Sequence, residues 1–182
     1  MDELQNLRSR MERERPAPWK ELPDIALYMD QLISYMPRQL IRFDEGNALT
    51  PAMVNNYIKD GLVPRAQGKK YGREHLVYLT VVAAVKQVLS VRDMKALLTG
   101  AAEPVDPQRL YQVFQDGLDE ALRNTVAHMR GFPQGGDNLS ALALSLALRS
   151  YADALACRRV VELLRPQEED KKKKKSKDDE PV

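Results

Sequence analysis

The stretch that decides the fold reads LTPAMVNNYIKDGLVP (49–64), RAQGKKYGREHL (65–76), VYLTVVAAVKQV (77–88) and LSVRDMKALL (89–98). Thr50 followed by Pro51 is a helix start, because the hydroxyl can accept a backbone N–H and proline at the first helical position loses no useful donor. Met53, Val54, Tyr57 and Ile58 recur at helical spacing, and Gly61 supplies the positive φ that ends a helix. Leu62-Val63-Pro64 is short and β-prone, Gln67-Gly68 with Lys69 and Lys70 has the residues of a hairpin tip, and Lys70-Tyr71 reads as the returning strand. Glu74 opens the next helix, where a carboxylate meets the positive end of the dipole. Leu76, Val77, Leu79, Val82, Ala83 and Val85 fill that helix. Ser90 caps a further helix, with Asp93 three residues on as its partner and Met94, Leu97 and Leu98 as its apolar stripe. Helix, turn, two-stranded basic loop, helix and capped helix together predict a winged helix-turn-helix.

Outward from this segment the sequence is mostly helical. Residues 1–15 form a charged helix broken by Pro16 and Pro18. Residues 24–41 read as an amphipathic helix with Ile25, Tyr28, Met29, Leu32 and Ile33 on one face. Gly100 to Pro107 reads as a linker. Asp106-Pro107 starts a helix to about Arg130, with Leu110, Val113, Phe114, Leu118 and Leu122 as its stripe. Gly131 to Asp137 is a turn, and Asn138 caps a long helix that Pro166 stops. The expected fold class is mainly α, with a small β-hairpin wing and an added C-terminal helical pair. The expected divisions are a charged extension (1–18), a DNA-binding domain (19–100), a helical dimerisation or effector region (101–165) and a disordered charged tail (166–182) with five consecutive lysines.

Two resemblances rest on these residues. Gly61-Leu62, the basic loop, Tyr71, the acidic helix start at Glu74 and the LSxxDxKxLL ending at 89–98 resemble the DNA-binding domain of MerR-type regulators. Trp19 to Ile25, Leu27 to Leu32, Leu49-Thr50, Met53 to Tyr57 and Lys69-Lys70-Tyr71 resemble a family of uncharacterised bacterial proteins, a domain of unknown function (DUF1836) related to those regulators. The resemblance covers roughly residues 19–130 and implies a winged helix that binds DNA. MerR-type domains carry an arginine and two aromatics on the recognition helix where this chain has Asn55, Asn56 and Tyr57.

Charge narrows the reading. The formal net charge is only +2, which says little about nucleic acid. Residues 50–75 hold Lys59, Arg65, Lys69, Lys70 and Arg73 against Asp60 and Glu74, a local balance of +3. Such clustering supplies phosphate contacts and a salt-dependent affinity. The residues expected to meet double-stranded DNA are Thr50, Asn55, Asn56, Tyr57, Lys59, Arg65, Lys69, Lys70, Tyr71 and Arg73. A carboxamide such as Asn55 or Asn56 can read an adenine edge in the major groove, or simply be solvated. Lys69 and Lys70 suit phosphates, or a solvated hairpin tip. Tyr71 is a packing aromatic first and a phosphate donor second.

Other features point to bland roles. His75 and His128 lack partners at metal spacing, so surface or helix-packing roles are expected, and Cys157 is expected as a small buried hydrophobe. No metal and no cofactor is expected. No Gly-rich phosphate loop, HExxH, CxxC or nucleophile–histidine pair occurs, so no enzyme is predicted. One cysteine and a charged N-terminus point to a reducing cytoplasm. The longest apolar stretch, Leu139 to Leu148, is shorter than the roughly 20 residues of a membrane span. The helix 138–164 has apolar residues on nearly every face, which predicts a homodimer through 107–164 that presents two recognition helices. The effector, if one exists, is unnamed by the sequence. The competing reading is a winged-helix interaction module that acts through its C-terminal helices.

Overall fold

The computed structural model describes residues 2–41, 48–99, 106–132 and 138–165. The predicted linker at 100–105, the turn at 133–137 and the tail from 166 lie outside the described residues. The described chain forms seven α-helices: α1 (Asp2–Arg13), α2 (Met29–Tyr35), α3 (Pro51–Lys59), α4 (Arg73–Val85), α5 (Val91–Thr99), α6 (Pro107–Arg130) and α7 (Asn138–Leu163). Short 3₁₀ turns occupy Trp19–Glu21 and Met36–Arg38.

Most helix starts follow their capping residues. The Thr50 hydroxyl accepts from Met53 N at 3.2 Å, the Ser90 hydroxyl from Asp93 N at 3.2 Å, and the Asp106 carboxylate from Arg109 N at 3.0 Å. Gly61, after α3, takes φ +74°, a conformation that costs a residue with a Cβ but not glycine. The predicted helix over 24–41 is shorter. Leu27 exchanges backbone hydrogen bonds with Tyr71 at 2.9 Å, so α2 begins only at Met29, where Gln31 Oε1 accepts the Tyr28 N–H.

The winged-helix expectation is overturned: no β-strand is present among the described residues, and the hairpin contracts to one bridge, Gln67 with Lys70. The donors explain why. Leu62 N and Val63 N both bond to Tyr57 O, at 2.8 and 3.3 Å, and Pro64 has no N–H. The outgoing arm is therefore spent on closing α3, while Tyr71 on the returning arm is paired to Leu27. Between them, Gly68 (φ +57°) and Lys69 (φ +64°) make a tight turn with two positive φ values, the geometry of a primed turn.

Helix α4 is the centre of the fold. His75, Leu76, Val77, Leu79, Thr80, Val81 and Val82 are buried along it, as expected for a helix that is apolar all round. The Thr80 hydroxyl satisfies itself by donating to Leu76 O at 2.7 Å. Leu32, Val54, Leu62, Leu76, Leu79, Met94 and Val161 belong to one core contributed by five helices and the loop after α3, with Leu110 and Phe114 of α6 packed against it. A second, smaller cluster joins Leu22, Val77 and Tyr111, with Trp19 and Phe114 against it. The Tyr111 ring stacks on Phe114 at 6.1 Å and its hydroxyl donates to Ala17 O at 2.7 Å. Burial pushes the Tyr111 phenol well above its ordinary range.

The charged N-terminal helix packs rather than projects. Arg15 pairs with Asp119 of α6 at 2.7 Å, and Arg130 of α6 with Glu12 of α1 at 2.5 Å. Exposed pairs of this kind contribute at most about 1 kcal/mol each. At the other end α7 docks on α5. Val161 is buried in the main core, Arg158 donates to Val88 O, and Arg165 pairs with Asp93. The Ser90 hydroxyl, then Arg165, hold the Asp93 carboxyl below its usual range.

One face of the rest of α7 is bare. Leu144, Leu148, Tyr151 and Leu155 are 61%, 58%, 67% and 59% exposed. By length and composition α7 could also cross a membrane, with a mean hydropathy of 1.2 over its best 18-residue window. Arg149 and Asp153 interrupt its middle.

Candidate nucleic-acid interface

Helix α3 divides its residues between two sides. Val54 is fully buried and Met53, Tyr57 and Ile58 pack against the core. Ala52, Asn55, Asn56 and Lys59 are exposed at i, i+3, i+4 and i+7, so they form one outward stripe. The chain leaves this helix without slack, because the Leu62 and Val63 amides are bonded to Tyr57 O. Arg65, Lys69 and Lys70 follow on the exposed turn. Among the described residues none of Lys59, Arg65, Lys69 or Lys70 makes an ion pair. Lys70 instead lies over the Tyr28 ring, with its ammonium 5.3 Å from the centroid.

The expected DNA-contacting set therefore splits. Thr50, Asn55, Asn56, Lys59, Arg65, Lys69 and Lys70 are exposed. Tyr57 is half-buried, with burial pushing its phenol up. Tyr71 is 5% exposed and packs edge-on against His75 at 5.4 Å. Arg73 is committed to the fold. It donates to Leu22 O at 3.0 Å, and its guanidinium carbon sits 5.2 Å from the Trp19 ring centroid. Tyr57, Tyr71 and Arg73 thus hold the surface that the other residues present.

His75 has a role that its sequence position hid. It is 1% exposed. Its Nδ1 accepts the Gly72 N–H at 3.0 Å, so the remaining proton is on Nε2, which faces Arg65 O at 3.3 Å. Glu74 lies 3.7 Å from Nδ1, but an Nδ1 that accepts from Gly72 cannot also carry a proton to that carboxylate. The ring thus ties both ends of the basic turn to the first turn of α4. The buried-histidine signal was the N3 position after Gly72, where a side-chain acceptor can close a cap.

Lys95 also escaped the sequence reading. An ideal Cβ built on Gly61 would lie 3.4 Å from its Nζ, so α5 delivers an exposed ammonium to the C-terminal end of α3. That end carries the negative pole of the helix. Its spacing from Gly61 in sequence gave no hint of this.

No group of acidic, histidine or cysteine side chains suited to a metal occurs among the described residues. His128 is paired to Ser145 at 2.8 Å and Cys157 is half-buried against the core.

No curated protein and no solved structure matches the chain. Residues 17–114 match the family described as a domain of unknown function, DUF1836. The match carries no activity with it, and nothing in it ties the chain to MerR-type regulators. It covers more than half of the 182 residues, and the chain belongs to that family.

Proposed function

We propose that this DUF1836 member is a DNA-binding transcriptional regulator that sets α3 in the major groove and the turn 65–70 on the phosphate backbone. One observation carries the reading: the outward stripe Asn55, Asn56 and Lys59 is rigidly continuous with exposed Arg65, Lys69 and Lys70, which make no ion pair among the described residues. The stripe offers carboxamides for base edges and the turn offers cations for phosphates, the division of labour that duplex recognition requires. Lys95 adds a cation next to α3 that is within reach of the same backbone.

The bare face of α7 supports a homodimer. Leu144, Leu148, Tyr151 and Leu155 follow a 4-3-4 spacing, the seam of a coiled coil. This row faces away from Leu142 and Val161, which are buried against the protein's own core. Ala141, Ala147 and Ala152 flank it and let a second helix approach closely. The row reads much the same in both directions, so a second copy laid antiparallel sets Leu144 on the partner's Leu155 and Leu148 on the partner's Tyr151. A two-fold dimer then presents two copies of α3 to a two-fold site. The same row would serve an interaction module, but such a module gives no reason for the unpaired cations.

The test is binding of the K69E/K70E double variant to duplex DNA across a salt series. Loss of two phosphate contacts per protomer should lower affinity at least tenfold at 0.1 M salt. The slope of log K against log salt should become less steep by about 1.8 per protomer. Unchanged affinity and slope would remove DNA from the reading.

A further inference from the structure

A cleft of about 730 Å³ opens between the end of α1, the 3₁₀ turn at 36–38, the end of α4 and the middle of α6. Its volume is in the range that holds small organic ligands. Its floor is apolar: Leu40, Ile41, Leu49, Leu118 and Leu122 line it. Its rim is basic. Among the described residues, Arg10, Arg13, Arg15, Arg38 and Lys86 line it against Glu14 as the one carboxylate, a lining charge of +4.

The cations are not equivalent. Arg10 is bonded to Glu14 and Arg15 to Asp119, while Arg13 donates to Ser9 O. Arg38 and Lys86 make no ion pair among the described residues. Gln39 adds a polar group in the wall. Its side chain is fully buried, Oε1 accepts from the Tyr111 hydroxyl at 3.1 Å, and the amide also bonds the Tyr35 hydroxyl.

Apolar floor and basic rim call for one kind of occupant. We propose that the cleft binds a small amphipathic anion, whose apolar body lies on the leucines and whose acidic head is held by Arg38 and Lys86. The proposal stands on the cleft alone and does not depend on DNA binding. Tyr57 and Leu49 line the same cleft, so an occupant would touch the inner side of α3.

The probe is 8-anilinonaphthalene-1-sulfonate, titrated into the full chain and followed by its fluorescence. One saturable site per chain is expected. The R38E/K86E double variant, changed only at the rim, should bind it at least tenfold more weakly. N-phenyl-1-naphthylamine, the same body without the sulfonate, should also bind at least tenfold more weakly to the unaltered chain. A variant with charges on α7, L148E/Y151E, should keep the site. The proposal is overturned if the rim variant binds normally, if the neutral dye binds as well as the sulfonate, or if the α7 variant abolishes the signal, since the dye would then lie on α7.

Discussion

The L148E/Y151E variant is expected to halve the mass of the protein in solution, from twice the 20.7 kDa chain to a single chain. Both side chains are more than half exposed in one copy, so the substitutions cost the isolated chain little. In the dimer they would remove four large apolar side chains from the interface and place four carboxylates there. Each buried side chain of this size stabilises by about 2 kcal/mol. A loss of at least about 6 kcal/mol corresponds to a dissociation constant raised more than a thousandfold. Sedimentation at micromolar concentration reads this directly, with far-UV circular dichroism to show that the helices remain. A single-chain mass for the unaltered protein would end the dimer reading. So would partition of the unaltered protein into lipid vesicles that the variant no longer enters, because the row would then be a membrane face.

The second large effect belongs to His75. Replacing it with alanine strands the Gly72 N–H and removes the group facing Arg65 O, both now served by one buried ring. It also removes the edge contact with Tyr71. A stranded buried group costs roughly 1–3 kcal/mol, and the lost packing adds to it. The expected total is about 3 kcal/mol, which lowers the melting temperature by roughly 10 °C in a chain of this size. His75→Gln should recover part of the loss, because the chain already uses this cap elsewhere: Gln31 Oε1 accepts the Tyr28 N–H at 2.9 Å from the same N3 position. Calorimetry of the three proteins decides it. A melting temperature for His75→Ala within 2 °C of the parent would show that the ring does not anchor the turn.

Local signals were legible in the sequence and distant ones were not. Thr50-Pro51, Gly61, Ser90 and Asp106-Pro107 punctuate helices through bonds made within a few residues, and α3, α5 and α6 begin where those residues place them. The hairpin failed because its fate rests on a far partner. Tyr71 pairs with Leu27, and nothing near either residue announces the other. The shortened α2 is the same bridge seen from its other end. The seating of the N-terminal segment on α6 likewise joins residues far apart in sequence, Arg15 with Asp119 and Glu12 with Arg130. Within the candidate site, the sequence gathered the cations into one run but could not sort them. Arg73 and Lys70 look alike in a basic run, yet one is spent on Trp19 and the Leu22 carbonyl while the other remains on the surface.

Helix α6 has a consequence for how this family is delimited. The shared segment ends at residue 114, inside a helix that runs from Pro107 to Arg130. It also begins after α1. The part of α6 within the segment brings Tyr111 to the face of α4, while the part beyond it is braced by α1 through Asp119 and Arg130. What matches the family and what packs together are therefore different lengths of chain. A fragment cut to residues 17–114 would lose α1, the second half of α6 and α7, and with them the pairs made by Asp119 and Arg130 and the burial of Val161.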